Sequence, residues 1–246
     1  MPRENTYKIK TELSIVMPFY NEEENVEKVC EDLSKEFARE KIDYEIIAVN
    51  NGSFDKTPEL LDKIVKKIPQ VKIITVKVNQ GFGWGVIQGL NMASGEYIGY
   101  MAGDGQVSPS DVMRVFKKIK NENWDFGQGR RAKRDDGLIR KISSLGFKSI
   151  FHLLFQSTIY DIGGHPKIIK KSLYKKIMPV SKDWFLDSEI ILKSSYLTNK
   201  VGEVPLTFKK REKGRSNIKI RTVSEMLKNM IKWKIKMIKG KMGFSK

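Results

Sequence analysis

The chain of 246 residues is long enough for one large domain that buries its own core without disulfide bonds. Its 40% hydrophobic residues, with 12 Phe, 8 Tyr and 4 Trp, exclude a wholly disordered protein. Cys30 is the only cysteine, which excludes an intrachain disulfide and predicts a packed thiol in a reducing compartment. Residues 1–10 lack the apolar core of a signal peptide, and no run of about 18 apolar residues occurs, so we expect a cytoplasmic protein without a membrane span.

The net charge of +17 comes from 46 Lys or Arg residues against 29 Asp or Glu residues. Much of the excess lies at the end of the chain, where residues 209–246 hold fourteen basic residues but only two acids, Glu212 and Glu225. Such concentrated charge predicts an anionic partner, and it leaves open whether this is a phospholipid surface, a lipid phosphate or a nucleic acid.

Four short apolar segments in the first half of the chain are bounded by turn residues and separated by amphipathic stretches. They are predicted as strands over Leu13–Pro18, Tyr44–Asn50, Val71–Val78 and Glu96–Met101. Because strands and helices alternate at intervals of about 30 residues, the first 130 residues are expected to form βαβ units around a parallel sheet.

The pattern changes in the second half of the chain. It predicts a basic loop at Arg130–Arg140, helices near Leu138–Phe155, Lys167–Ile177 and Ser188–Leu197, a strand at Val201–Lys209 and a last helix near Thr222–Lys239. No internal repeat or low-complexity linker divides the chain. We therefore expect one α/β domain over residues 1–220, with a mostly parallel sheet flanked by helices, followed by a basic amphipathic helix and tail over residues 221–246.

Polar and small residues follow three of the predicted strands. The segments are Pro18-Phe-Tyr-Asn-Glu22, Asn50-Asn-Gly-Ser53 and Ala102-Gly-Asp-Gly-Gln106. Ligands of parallel sheets bind at the carboxyl ends of the strands, so these loops are expected to meet along one edge. The Asn50 segment alone also fits a simple turn and helix cap.

Asp104 and Gln106 are the candidate ligands of a metal ion. Mg²⁺ and Mn²⁺ commonly take one or two protein oxygens and complete their coordination with substrate phosphates and water. Glycines on both sides of Asp104 allow a bulky ligand to approach the loop. The segment therefore predicts a metal ion that holds a diphosphate, and the alternative is a polar loop without a metal.

Two other patterns do not indicate a cofactor. Gln80-Gly-Phe-Gly-Trp-Gly85 follows a predicted strand, but Val86 and Gln88 occupy the positions where a dinucleotide fingerprint requires its third glycine. His152 and His165 have no acid or cysteine at metal-ligand spacing, so we expect both to be packing or surface residues.

Taken together, the motifs resemble those of inverting family 2 glycosyltransferases with the GT-A fold, in particular the dolichyl- and polyprenyl-phosphate sugar transferases. The resemblance covers about residues 13–216. It rests on Ser14–Glu22, Asn50–Asp55, Asn79–Gly81 with Gly89 and Ala93–Gly95, Gly103–Gln106, Tyr160–Gly164, and Gly202–Pro205 with Arg211 and Gly214–Ser216.

The resemblance implies a nucleotide-diphosphate sugar as donor and assigns site residues. The nucleotide sugar would be bound by Pro18, Tyr20, Glu22, Asn50, Ser53, Gly81 and Ser216. Mg²⁺ or Mn²⁺ would be held by Asp104 and Gln106, and Arg130 and Arg211 would face the phosphates. Asp187 or Glu189 would face the sugar or the acceptor. Metal and basic side chains would stabilise the charge of the departing diphosphate.

The chain departs from the family pattern at several positions. Asn50-Asn51 replaces an aspartate pair, and Ala102 replaces another aspartate, which removes a possible metal ligand and a charge from the base pocket. The family's Gly-x-Ser-Lys ending is Gly214-Arg-Ser-Asn217 in this chain, so its lysine is missing. Lys219 is a candidate to supply that positive charge. These departures leave the donor's base and sugar open, and they make a catalytically silent scaffold one alternative.

The acceptor decides whether the reaction needs a base. A lipid phosphate is already an anionic nucleophile, whereas a sugar hydroxyl requires a carboxylate within hydrogen-bond reach, for which Asp187 is the candidate. The basic end of the chain favours the lipid phosphate. A nucleic acid is disfavoured as partner, because the predicted acidic loop does not suit a surface that binds phosphate backbones.

The last predicted helix has one apolar and one basic side. Its apolar side comprises Val223, Met226, Leu227, Met230, Trp233, Met237 and Ile238, and its basic side comprises Lys228, Lys232, Lys236 and Lys239. Such a helix either packs on the domain or lies in the interface of an anionic membrane. We expect the second arrangement, which predicts a peripheral protein at the cytoplasmic membrane face.

Overall fold

The computed structural model of the protein describes residues 11–133, 138–208 and 220–241. The strands are β1 (Leu13–Phe19), β2 (Tyr44–Asn51), β3 (Val71–Val76), β4 (Tyr97–Tyr100), β5 (Phe126–Lys133), β6 (Lys167–Lys170) and β7 (Val201–Thr207). The helices are α1 (Val26–Arg39), α2 (Thr57–Lys67), α3 (Phe82–Met92), α4 (Pro109–Asn121), α5 (Leu138–Phe155), α6 (Lys171–Ile177), α7 (Leu186–Leu197) and α8 (Ile220–Ile238).

The strands form one seven-stranded sheet in the order β3-β2-β1-β4-β6-β5-β7. Strand β1 pairs in parallel with β2 and β4, and β2 pairs in parallel with β3, as the alternation of strands and helices predicts. Strand β6 runs antiparallel to both β4 and β5, while β7 is parallel to β5. The expectation of a mostly parallel α/β sheet is confirmed.

Two predicted elements of the second half are wrong. Lys167–Lys170 is strand β6 and not the start of a helix, which begins only at Lys171. Arg130–Lys133 belongs to β5 and not to a loop. In both segments basic residues flank the apolar ones, so the hydrophobic pattern does not separate a strand from a helix or a loop.

Helices cover both faces of the sheet and create two core clusters. Alternating residues of β1 serve both, with Ile15 and Met17 in the cluster under α1, α2 and α4, and Val16 in the cluster under α3, α6 and α7. Cys30 lies fully buried in the first cluster, and burial raises the pKa of its thiol to about 12. The expected packed thiol is confirmed.

Helix α8 packs on the domain through part of its predicted apolar side. Met230 and Trp233 are buried in the second core cluster, and Lys234 Nζ donates a hydrogen bond of 2.6 Å to the carbonyl of Leu154 on α5. None of the helices in the described ranges combines the length and hydrophobicity that a membrane span requires.

Candidate active site

The loops after β1 and β2 are joined by hydrogen bonds at the carboxyl edge of the sheet. Ser53 N donates to Asn50 Oδ1 over 3.0 Å, Asn21 N donates to Ser53 Oγ over 3.1 Å, and Phe54 N donates to Asn21 Oδ1 over 3.0 Å. Asn50 and Ser53 thereby fix the shape of the two loops. Because β4 lies on the other side of β1, the loop that carries Asp104 meets the same edge, as predicted.

Aromatic and polar side chains lie where the nucleoside is expected. Tyr20 packs edge-on against Phe54, with 6.1 Å between the ring centroids, and Phe54 is 82% exposed. Pro18 and Glu22 are half-buried, and Glu22 Oε2 accepts a hydrogen bond of 2.6 Å from Asn25 Nδ2. Phe54 is not among the predicted residues, and with Tyr20 it adds an exposed aromatic surface to this edge.

Gly81 connects this edge to helix α3. Its φ of 116° lies in the left-handed region, where side chains other than glycine are strained. A Cβ at this position would come within 2.4 Å of the Lys182 carbonyl oxygen, so the loop can approach that segment only with glycine. Asn51 Nδ2 donates to the Gly81 carbonyl over 3.1 Å, which ties the end of β2 to the start of α3.

The Asp104 loop presents a carboxylate and an amide at the end of β4. Asp104 Oδ1 accepts a hydrogen bond of 3.2 Å from Gln106 N, and both side chains are half-buried. Asp104 Oδ2 has no hydrogen-bond partner among the described residues. Within those residues no three His, Cys, Asp or Glu side chains cluster as ligands of a metal ion. This donor set fits a divalent ion that a diphosphate helps to coordinate, and it does not fit a site built from protein ligands alone.

Asp187 lies in a buried polar cluster between β4, β6 and α7. Tyr100 OH donates a hydrogen bond of 2.7 Å to its Oδ1, and Lys167 Nζ and His165 Nε2 each lie 3.4 Å from the same atom. Lys167 Nζ also donates to the carbonyls of Ile162 and Gly164, over 2.9 and 2.6 Å. These three side chains therefore converge on one oxygen of a carboxylate that is only 5% exposed.

The cluster sets the charge of this carboxyl. Burial alone would raise the pKa of Asp187, but attraction to Lys167 and His165 and the hydrogen bond from Tyr100 outweigh it and hold the pKa well below its usual range. Burial lowers the pKa of Lys167, and attraction to Asp187 opposes that shift in part. Asp187 is therefore a firmly ionised carboxylate.

Glu189, the second acid of the same motif, is completely buried. Its carboxylate accepts hydrogen bonds from Val180 N and Ser181 N and pairs with Lys193 Nζ at 3.0 Å. Since these partners occupy it within the protein, its placement does not support the expectation that Glu189 faces the sugar or the acceptor. It instead holds the segment that leads into α7.

Two arginines of β5 have different surroundings. The Arg131 guanidinium forms a two-pronged pair with Asp161, at 2.8 Å from Nε and 2.6 Å from Nη2, which fixes the loop before β6. The Arg130 guanidinium lies 5.8 Å from the centre of the exposed Tyr160 ring. Arg211 and Ser216 lie outside the described residues, so their roles stay predictions.

The sequence thus identifies the residues at the strand ends but misses the surroundings of Asp187. Tyr100 ends β4, while His165 and Lys167 stand two residues apart at the start of β6, far along the chain, and none belongs to a readable motif of charged residues. His165 is a packed residue, as expected, yet it packs directly against the candidate carboxylate. A buried lysine has no sequence signal, because the carbonyls and the carboxylate that accommodate it are brought together only by the fold.

Comparisons with known proteins agree with this architecture. The sequence profile of glycosyl transferase family 2 matches residues 14–178. A dolichol-phosphate mannosyltransferase from Pyrococcus furiosus is 29% identical over 243 residues, which cover 90% of this chain and 64% of the relative. A dolichyl-phosphate beta-glucosyltransferase from Trichomonas vaginalis is 28% identical over 236 residues, which cover 89% of this chain and 72% of the relative. The chain thus spans less than two thirds of the Pyrococcus protein.

A solved structure shows the same fold. Glucosyl-3-phosphoglycerate synthase from Mycobacterium tuberculosis, in complex with Mn²⁺, uridine diphosphate and phosphoglyceric acid, superposes with a TM-score of 0.72 at 16% identity, over 97% of this chain and 81% of that chain. At this identity the likeness establishes the GT-A fold alone. Because the family profile matches more than half of the chain, the protein belongs to glycosyl transferase family 2.

Proposed function

We propose that the protein is an inverting glycosyltransferase that moves a hexose from a nucleotide-diphosphate sugar to a polyprenyl or dolichyl phosphate. The observation that carries the proposal is the convergence of the β1, β2 and β4 loops at one edge. Asp104 lies in the loop after β4, and Asp187 is hydrogen-bonded to Tyr100, the last residue of β4. The names of the Pyrococcus and Trichomonas relatives, both transferases to dolichyl phosphate, support the choice of acceptor.

The donor would bind along the strand ends. We propose that the nucleoside would be bound by Pro18, Tyr20, Glu22, Asn50, Ser53 and Gly81. Asp104 and Gln106 would hold Mg²⁺ or Mn²⁺ against the diphosphate, and such an ion neutralises charge that develops on the leaving group. Mn²⁺ and uridine diphosphate occur together in the Mycobacterium tuberculosis structure, which supports a divalent ion here. Arg130 and Arg211 would contribute positive charge beside the phosphates.

The ionisation of Asp187 favours a phosphate acceptor. A carboxylate whose pKa is held far below its usual range is a weak proton acceptor, and a hydroxyl nucleophile needs a strong one. A lipid phosphate attacks without losing a proton. One of its oxygens forms the new bond to the anomeric carbon while the bond from that carbon to the nucleotide diphosphate breaks, with inversion. Asp187 would then orient the sugar or the acceptor.

A membrane surface is the proposed location of the acceptor. Ile231, Ile235 and Ile238 of α8 are 59%, 47% and 72% exposed and follow the spacing of one helix side. The basic side of the helix, from Lys228 to Lys239, borders this apolar stripe. The arrangement suits a helix that lies at the interface of an anionic leaflet, the cytoplasmic one by our proposal, and makes the protein a peripheral membrane enzyme.

The test is transfer of labelled hexose by the purified protein with Mn²⁺ to polyprenyl phosphate in anionic vesicles. We expect labelled lipid product, and we expect Asp187→Asn to retain activity to within about tenfold, because loss of a general base usually costs about 10²–10⁴-fold. Transfer to glycan hydroxyls but not to the lipid phosphate, with loss of more than 10²-fold in Asp187→Asn, would favour the hydroxyl acceptor instead.

A catalytically silent relative is the second candidate, and Ala102 favours it because the loop has lost one possible metal ligand. Hydrolysis of the nucleotide-sugar donor separates the two, since it requires the donor site but no acceptor. Mn²⁺-dependent hydrolysis by the parent protein would exclude the silent scaffold.

A further inference from the structure

A cleft of about 280 Å³ lies between the start of α3, the segment before α7, and Glu225 and Met226 of α8. Its floor is an aromatic pair. The rings of Phe82 and Trp184 are parallel to within 5°, with their centroids 4.4 Å apart. Neither the sequence motifs nor the proposed donor and acceptor residues, apart from Gly81 at its edge, account for this cleft.

The lining combines an aromatic floor with a polar rim. Gln80, Asp183 and Glu225 supply amide and carboxylate groups around the stacked rings, and Met226 adds an apolar side. Aromatic faces accept the C–H face of a sugar ring, while amides and carboxylates bind its hydroxyls. The volume is slightly below the roughly 300–1,000 Å³ of pockets for drug-sized ligands, so it suits one sugar ring better than a nucleotide.

The cleft lies next to residues from both ends of the proposed reaction site. On one side Gly81 lines it, and the Gly81 carbonyl accepts the hydrogen bond from Asn51 at the nucleoside edge. On the other side the Phe82 ring lies 6.1 Å from the His165 ring, which is next to Asp187. The hexose of a bound donor must lie between the nucleotide and the acceptor, and the cleft has one neighbour from each proposed side, Gly81 and His165.

Hydrogen bonds hold the walls of the cleft in place before any ligand binds. Asp183 Oδ2 accepts from Asn229 Nδ2 of α8 over 2.7 Å, and Asp183 Oδ1 accepts from Phe185 N over 2.8 Å. Trp84 N donates to the Lys182 carbonyl over 2.9 Å. Helix α8 is therefore fastened to the segment that carries Trp184, and a site of this kind binds without first ordering its loops.

We propose that this cleft binds the hexose of the donor, with Trp184 as its aromatic platform and with α8 supplying one wall through Glu225 and Met226. The inference rests on the proposed transferase function and deepens it. It makes α8 a determinant of sugar choice in addition to a membrane-facing helix.

Binding measurements with matched ligands test the proposal on the full chain. The parent protein is titrated with UDP, UDP-glucose, GDP and GDP-mannose in the presence of Mn²⁺, and the nucleotide that binds is used for the variants. Trp184→Leu should weaken binding of the nucleotide sugar at least tenfold and leave the Kd of the free nucleotide diphosphate within twofold. Trp184→Phe should recover most of the loss, and Met226→Ala should weaken sugar binding a few-fold.

A control and four outcomes make the result decisive. Tyr196→Leu replaces an aromatic side chain that is 66% exposed on α7 and should change neither Kd. If Trp184→Leu weakened binding of the nucleotide sugar and of the free nucleotide equally, the tryptophan would have only a structural role. If it weakened neither, the sugar would not bind in the cleft. A raised KM for the lipid acceptor with unchanged donor binding would assign the cleft to the lipid. If the parent protein bound neither these four probes nor the adenosine, cytidine and thymidine diphosphate derivatives of glucose and mannose, the proposed function itself would fail.

Discussion

At the scale of single residues, Lys167 and Asp187 depend on each other. Lys167 is 1% exposed, and its ammonium group is accommodated by two carbonyls and the Asp187 carboxylate. Replacing one member of a buried ion pair leaves the other without compensation, which costs about 3–5 kcal/mol. We therefore expect Lys167→Met to lower the free energy of unfolding by about that amount, as measured by urea denaturation.

The matched control for this variant is Lys175→Met, which changes an exposed lysine of α6. Surface substitutions of this kind usually stay within about 0.5 kcal/mol of the parent protein. If Lys167→Met were as stable as Lys175→Met, the buried pair would contribute nothing to the fold and the basis for the low pKa of Asp187 would be lost.

Asp161 allows a prediction about pH. Burial raises its pKa, but the Arg131 guanidinium more than offsets that effect and lowers the pKa to about 2. A carboxyl with a depressed pKa in the folded state stabilises the protein above its unfolded pKa, and this contribution disappears as the pH falls through the folded value. We expect Asp161 to contribute about 2 kcal/mol at neutral pH, lost between about pH 4 and pH 2.

Unfolding free energies of the parent protein and Asp161→Asn, measured from pH 7 to pH 2, check this expectation. The difference between the two proteins should be largest at neutral pH and shrink below about pH 4. Asp32→Asn removes an exposed carboxylate paired with Lys28 on α1 and should show little difference at any pH. A difference for Asp161→Asn that does not vary with pH would show that the ionic pair is not its source.

Asp104 carries the metal assignment. Asp104→Ala should abolish Mn²⁺-dependent turnover of the donor and leave the melting temperature unchanged, because its side chain is half-buried in a loop outside both core clusters. Gln106→Ala should reduce turnover less, since a neutral amide oxygen is the weaker ligand of a divalent ion. Full activity of purified Asp104→Ala would contradict the assignment.

At the scale of elements, local pattern predicts most strands but not their surroundings. β1 and β2 are predicted to within one residue, because each is a mostly apolar run that is followed by turn residues. The sequence pattern predicts a helix in place of β6, because a lysine such as Lys167 usually indicates an exposed position. Lys167 is buried only because the fold brings its hydrogen-bond partners to it. The same limit applies to the site: loops at strand ends follow from topology, whereas the cluster around Asp187 depends on tertiary contacts.

The position of α3 depends on a glycine. A Cβ at Gly89 would lie 2.2 Å from Val16 Cγ1 and 3.0 Å from Val49 Cγ2, so α3 approaches β1 and β2 closely only because this residue has no side chain. Gly89→Ala should destabilise the protein by about 1–3 kcal/mol through overpacking. It should also weaken nucleotide-sugar binding, because α3 begins at Phe82, directly after Gly81, and both residues line the proposed sugar cleft.

Gly146 of α5 is the matched control for this variant. A Cβ there would meet nothing within 4 Å, so Gly146→Ala should stabilise the helix by about 0.5–1 kcal/mol. Both variants are compared by their unfolding free energies in urea. Equal effects of the two substitutions would show that α3 can shift without cost and that its glycine does not position the site.

At the scale of the whole molecule, α8 has one side that packs on the domain and one apolar side that is exposed. Met230, Trp233 and Asn229 join it to the core and to the segment beside Asp187, while Ile231, Ile235 and Ile238 are directed to solvent. Part of the predicted apolar side thus packs on the domain. Ile238 of that side, together with Ile231 and Ile235, which the sequence analysis does not assign to it, forms an exposed apolar stripe that is available to a membrane. Because α8 contributes to the core, point variants test membrane binding better than removal of the helix.

Co-sedimentation with anionic and with neutral vesicles measures that binding. The parent protein should bind anionic vesicles, and binding should weaken as salt is added, since each Lys near such a surface adds about 1 kcal/mol and salt screens it. Replacing Ile231, Ile235 and Ile238 by Ser should release the protein, whereas replacing the equally exposed Val78, Met92 and Val180 by Ser should not. Equal recovery of the parent protein in the supernatant with and without anionic vesicles would refute the membrane proposal, and a hydroxyl acceptor away from the membrane would then be the better hypothesis.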